Sequence, residues 1–140
     1  MSAAILSLLG LLVAVYLYLY KLGKIGSLVC GTGGCETVQL SNWSRFMGID
    51  VALIGVLGYA ALLALALVAL QPALLERRWP TTVLVCASGA GVLFSLYLTY
   101  LELYVIHAIC RWCVGSALIV TALLVVALLD ARRLSAPAAR

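Results

Sequence analysis

The sequence predicts an all-α integral membrane protein of one domain, residues 1–140: a four-transmembrane-helix bundle with an extracytoplasmic loop and a short interfacial helix. Three observations carry this reading. The chain is 66% hydrophobic and only 10% charged, with a mean hydropathy of +1.19, whereas a soluble domain is nearer half apolar and a quarter charged. A globule of 140 residues keeps much of its surface in water and cannot bury such an excess. Lipid is the remaining solvent, and four apolar stretches have the ~20 residues that a bilayer span requires.

The helices are expected at about 3–20, 51–70, 81–105 and 108–129, because a backbone in hydrocarbon must satisfy its own hydrogen bonds. The first stretch lacks a basic run before it and a small-residue cleavage site after it, so it reads as a retained helix and not as a signal peptide. The connector over 21–50 begins with the Gly-rich "GKIGSLVCGTGGCETVQ". It continues into "QLSNWSRFMG", where Leu40, Trp43, Phe46 and Met47 fall at helical spacing; this is the expected interfacial helix. The second connector is a turn ending in Pro80. The third is so short that helices three and four must be neighbours. Gly55, Gly58, Ala61, Ser88, Gly89 and Gly91 permit close helix contacts.

Four spans place both termini on one side. That side and the "QPALLERRWP" loop carry Arg77, Arg78, Arg132, Arg133 and Arg140; the opposite side carries Lys21, Lys24, Arg45 and Arg111. So small a difference does not orient the chain. The net charge of +4 is spread over short connectors and gives no reason to expect a nucleic-acid partner.

The chemistry is concentrated in the cysteines. Cys30 and Cys35 lie in the first connector, while Cys110 and Cys113 lie where the third enters helix four. The two connectors emerge on the same face, so two cysteine pairs gather there. Cys86 is expected to be buried in helix three as a small apolar residue. Cys110 and Cys113 fall in the first turn of helix four, where unpaired N–H groups and the helix dipole favour a thiolate. Three positions apart, they share a helix face. Glu102 and His107 flank the third connector. Each is a functional candidate as an ionisable group near membrane depth, although both are expected close to water. Arg111 stands between the cysteines, as a thiolate-favouring charge or a headgroup contact. The residues leave three readings open: a thiol–disulfide relay to a membrane quinone, a four-cysteine metal site, or a disulfide-stapled structural membrane protein.

The ordered segments "CGTGGCETVQLSNWSRFMGI", "LIGVLGYAAL" and "LYLTYLELYVIHAICRWC" resemble the vitamin K epoxide reductase homologues in their bacterial form, over almost the whole chain. The DsbB type of quinone-coupled disulfide generator has its C-x-x-C in the first external loop, the reverse of the order here. The resemblance implies a quinone-dependent thiol–disulfide oxidoreductase. Cys110 and Cys113 match the family's active-site pair, with Cys113 facing the quinone and Cys110 exchanging with the loop. Cys30 and Cys35 match its shuttle pair, Cys30 receiving electrons and Cys35 passing them to Cys110. Ser41 matches a serine near the quinone pocket, and the segment around Trp43 matches a half-helix covering the bundle mouth.

Two positions depart from the vertebrate pattern. Ala117 stands where those enzymes carry a quinone-binding tyrosine, and Asp50 and Val51 stand near a helix-two asparagine. Asp50 and Ala117 are therefore the implied quinone-side positions, with vitamin K quinone or epoxide as conceivable substrates. The implied acceptor is a ubiquinone or a menaquinone/vitamin K type quinone; no metal is expected. No fused thioredoxin-like domain is expected, so the implied partner is a separate thioredoxin-fold, DsbA-like protein. Disulfides form in oxidising compartments. That places the protein in the cell inner membrane with its cysteine loops extracytoplasmic and its termini cytoplasmic.

Overall fold

The computed structural model describes residues 1–23, 42 and 45–135. Four helices dominate: α1 (Ser2–Lys21), α2 (Val51–Ala69), α3 (Arg78–Tyr100) and α4 (Arg111–Ser135), with a π-helical segment, Leu101–Ile106, continuing α3. Each is long and apolar enough to cross a bilayer, with α3 and its π segment acting as a single span to Ile106. Leu12, Leu57, Leu93 and Leu118 are all more than half exposed. Such a surface is stable against lipid tails and would be an aggregation site in water.

The helices form a ring. α1 packs on α2 and α4, and α3 packs on α4 and α2, so the expected neighbourhood of helices three and four is present. At one level of the bundle Ala14, Tyr59, Leu62, Leu84, Val120, Leu123 and Ala127 close the core; at another, Leu17 and Ala52 enclose Cys110. Small residues allow these approaches. A Cβ at Gly10 would overlap the Tyr59 ring, and one at Gly55 would touch Ala14 at 3.4 Å. Gly58 has no neighbouring atom within 4 Å of a Cβ position and, like Ala61, lines a cavity. Ser7 and Ser88 donate to carbonyls four residues earlier, each at 2.7 Å, which is how a hydroxyl in hydrocarbon finds a partner.

The end of the expected interfacial helix is different. Arg45–Phe46 and Ile49–Asp50 pair as a two-stranded antiparallel hairpin, with Arg45 opposite Asp50 and Phe46 opposite Ile49. Met47 (φ 52) and Gly48 (φ 84) form its two-residue turn, a geometry in which left-handed residues match the strand twist. Gly48 and the immediate start of α2 at Val51 leave no length for a helix here. Phe46 still anchors the segment, edge-on against Phe94 at 5.6 Å and Tyr97 at 6.1 Å on α3. The remainder of that expected helix, including Leu40 and Trp43, lies outside the described residues.

Candidate active site

The site is built where α3 ends and α4 begins. The π segment widens the last turns of α3, and His107 then takes a left-handed conformation (φ 56, ψ 34). The Ala108 N–H reaches back six positions to the Glu102 carbonyl at 3.0 Å, closing the helix end around the left-handed residue. The Glu102 side chain closes the same turn a second time: its Oε2 accepts the Cys110 N–H at 3.1 Å. Across the bundle, Trp112 packs against Tyr16 of α1 with ring centres 5.0 Å apart. The chain is thus pinned on both sides of Cys110.

The two sulfurs have different surroundings. Cys110 caps α4, its carbonyl accepting the Val114 N–H at 3.0 Å, and it has no accessible surface. Cys113, one turn on, lines a half-open cavity of about 370 Å³ whose walls come from all four helices. Both cysteines are free thiols. The Cys113 thiol hydrogen-bonds to the Cys110 sulfur and holds the Cys110 thiol down at about 7 against the opposing effect of burial; the Cys113 and Trp112 N–H groups add to this stabilisation. The cavity is mainly apolar, with Val13 and Leu17 from α1, Ile54 and Leu62 from α2, Phe94 and Leu98 from α3, and Val120 from α4. Its polar lining comprises Tyr59, Ser95, Thr99, Glu102 and Ser116. Tyr59 Oη donates to the Ser116 carbonyl at 2.8 Å and lies 2.8 Å from its Oγ. Volume, apolar walls and a few convergent polar atoms suit a flat, lipid-soluble ring.

The chain matches the model of the Vitamin K epoxide reductase family over residues 1–128. It belongs to that family. As a vitamin K epoxide reductase family protein, it is a multi-pass membrane oxidoreductase, in a family whose general role is thiol–disulfide exchange coupled to quinone reduction.

Within this family member, the expected site residues are distributed unevenly. Cys110 and Cys113 stand together, but only Cys113 lines the cavity. Cys30, Cys35 and Ser41 lie outside the described residues, and so does any four-cysteine cluster that would need the first pair. Ala117 is half-buried on α4 and is not among the lining residues. Asp50 is not among them either. Its Oδ1 pairs with Lys21 Nζ at 3.3 Å and with Arg45 Nε at 3.4 Å, which ties the end of α1 and the hairpin to the start of α2. Two expectations are corrected. Cys86 is exposed on the outer face of α3, because an apolar neighbourhood in a membrane protein can be lipid. Glu102 is 4% exposed, because α3 runs on past it as a π helix; the ionisable groups that follow it, His107 and Arg111, are exposed. Sequence reading missed Tyr59 and Ser116, whose only signal was a hydroxyl set within an apolar run.

The lowered Cys110 thiol gives a direct test. In a variant keeping Cys110 and Cys113 as its only thiols, thiolate absorbance should rise through about pH 7. Cys113→Ala removes the hydrogen-bond donor, so the Cys110 midpoint moves up, toward the ordinary thiol value of about 8.5 or beyond. An unmoved midpoint would assign the depression to the helix terminus instead.

Proposed function

We propose that this protein oxidises a separate thioredoxin-fold, DsbA-like partner and passes two electrons through Cys30 and Cys35, then Cys110 and Cys113, to a membrane quinone, supporting disulfide bond formation. Each transfer between cysteine pairs is attack of a thiolate on a disulfide sulfur through a mixed disulfide. The acceptor is of the ubiquinone or menaquinone/vitamin K type and supplies the two-electron reduction at the end of the path. The chain's own residues supply the rest. Cys110 exchanges with the loop, Cys113 presents its sulfur to the acceptor, and the walls from α1, α2 and α3 hold the ring and exclude water. The cysteine face lies outside the inner membrane, with "LERR" and "DARR" on the cytoplasmic side. Ser41 and Ala117 are assigned here to the surroundings of the acceptor and not to the transfer itself, and Asp50 to the ion pairs that tie the end of α1 and the hairpin to α2.

The observation that carries this reading is Cys113. One sulfur of a C-x-x-C pair opens into an apolar cavity lined by the four membrane helices, while its neighbour is held away from that cavity with a thiol lowered to about 7. A structural staple needs no such division. The test is quinone reduction by the purified protein with dithiothreitol as donor. Wild type should turn over, as should Cys30→Ala and Cys35→Ala, because a small dithiol bypasses the shuttle. Cys110→Ala and Cys113→Ala should not. A wild type that reduces no quinone would overturn the proposal and redirect attention to metal analysis.

A further inference from the structure

Glu102 is a carboxylate with 4% exposure on a helix that crosses the membrane. Among the described residues it forms no ion pair. Its polar contacts converge on the cysteine pair: Oε2 accepts the Cys110 N–H at 3.1 Å, and the carboxylate is also a hydrogen-bond partner of the Cys113 thiol. The same side chain lines the cavity. An ionisable group at this depth is costly and marks function by default. Bracing the turn does not call for one, since a glutamine amide oxygen would accept the Cys110 N–H as well.

There is also chemistry for such a group to perform. Cys113 donates its S–H to the Cys110 sulfur, so the sulfur that faces the cavity is the one still carrying a proton. That proton must leave before the pair can be oxidised. Resting on the relay described above, we propose that Glu102 is a catalytic proton carrier between Cys113 and the quinone in the cavity. Oxidation forms the Cys110 Sγ–Cys113 Sγ bond, breaks the Cys113 S–H bond and sends two electrons to the quinone. The Cys113 proton passes to a Glu102 carboxylate oxygen and then to one oxygen of the quinone as it becomes a quinol. The second quinol proton enters from water and balances the one that Cys110 released on ionising. Glu102 ends the cycle in the ionised form in which it began.

The groups that set its titration come from every neighbouring helix. Cys110 and Cys113 face it from the start of α4, and Tyr59 of α2 shares the cavity wall. Lys21 at the end of α1, paired with Asp50 at the start of α2, is close enough to feel the charge of Cys113.

The experiment uses the full chain in lipid nanodiscs, pre-reduced and mixed with a short-chain benzoquinone or a short-chain naphthoquinone, with quinol formation followed against pH. Wild type and Cys113→Ala are measured first. A wild type that reduces neither quinone overturns the relay, and this inference with it. A wild type active only with Cys113 leaves the relay standing whatever Glu102 does. Glu102→Gln is then expected to slow quinol formation about 10²-fold near neutral pH, the usual size of a general-base contribution. Its rate should recover as the pH is raised and hydroxide takes over removal of the Cys113 proton. A wild-type rate and pH profile in Glu102→Gln overturns the proposal. So does an equal loss at every pH, which would make Glu102 a brace of the turn. If Glu102→Gln does not fold, Glu102→Asp decides: a reduced rate with a pH profile displaced from that of wild type supports the carrier, and a wild-type rate and profile, or an equal loss at every pH, overturns it.

Discussion

Cys113→Ala is expected to lower dithiothreitol-driven quinone reduction by at least about 10³-fold, the scale on which loss of a reacting group usually registers. Cys110→Ala should fail as completely, because two-electron delivery closes a disulfide and needs both sulfurs. The two variants should nevertheless differ in what accumulates. Cys113→Ala keeps Cys110, with its carbonyl capping α4 and its N–H held by Glu102, so it should trap a mixed disulfide at Cys110 that nothing resolves. Cys110→Ala leaves a lone thiol facing the cavity and should trap none with the partner. With a thioredoxin-fold protein as donor in place of dithiothreitol, Cys30→Ala and Cys35→Ala should also stop electron flow. Mass spectrometry of the non-reduced variants reads all of this. Turnover by Cys113→Ala would remove the assigned order of the two sulfurs.

Asp50→Ala is the variant with the largest expected effect on stability. The Lys21 side chain is only 8% exposed, and Asp50 at 26% sits between it and Arg45. Removing the carboxylate takes the nearest opposite charge from a desolvated ammonium, which costs more than the pair contributes. A loss of about 2–3 kcal/mol is expected, read as a fall in the thermal midpoint of the detergent-solubilised protein. Replacing both partners with apolar residues, Lys21→Met with Asp50→Leu, should recover most of it. Quinone reduction by the folded fraction of Asp50→Ala should remain near wild type, since Asp50 does not line the cavity. A selective loss of quinone affinity with unchanged stability would return Asp50 to the acceptor site.

The spans were legible because a bilayer imposes a length, and Ala3–Tyr20 or Val51–Leu70 can meet that length only as a helix. The second cysteine pair was legible because C-x-x-C beside an apolar run has few uses. What hydropathy cannot express is phase. Cys86 and Leu84 look alike in sequence, yet Leu84 is 3% exposed and Cys86 faces outward, since lipid and core are both apolar solvents. Glu102 was misread for a related reason. Whether a charge one turn from a helix end lies in water depends on how far the helix continues, and six π-helical residues carry it past that charge. The Lys21–Asp50 pair spans 29 positions, and no local pattern announces a contact at that separation. The hairpin was hidden by the helical spacing of Phe46 and Met47, with Gly48 as the one hint of a turn.

Cys110 has no surface at all, and this affects timing as well as chemistry. A thiol lowered to about 7 would be a fast nucleophile in water, but no reagent can meet it in the closed molecule. Exchange there must wait for a local fluctuation at the start of α4, so its speed limit belongs to the fold. A water-soluble maleimide should therefore label Cys110 at a rate that levels off as its concentration is raised, the plateau being the opening rate. Weakening the Tyr16–Trp112 contact with Tyr16→Ala should lift that plateau. The protein would then work as a turnstile, in which reactive sulfur is released one opening at a time and stray oxidants find little to react with between openings.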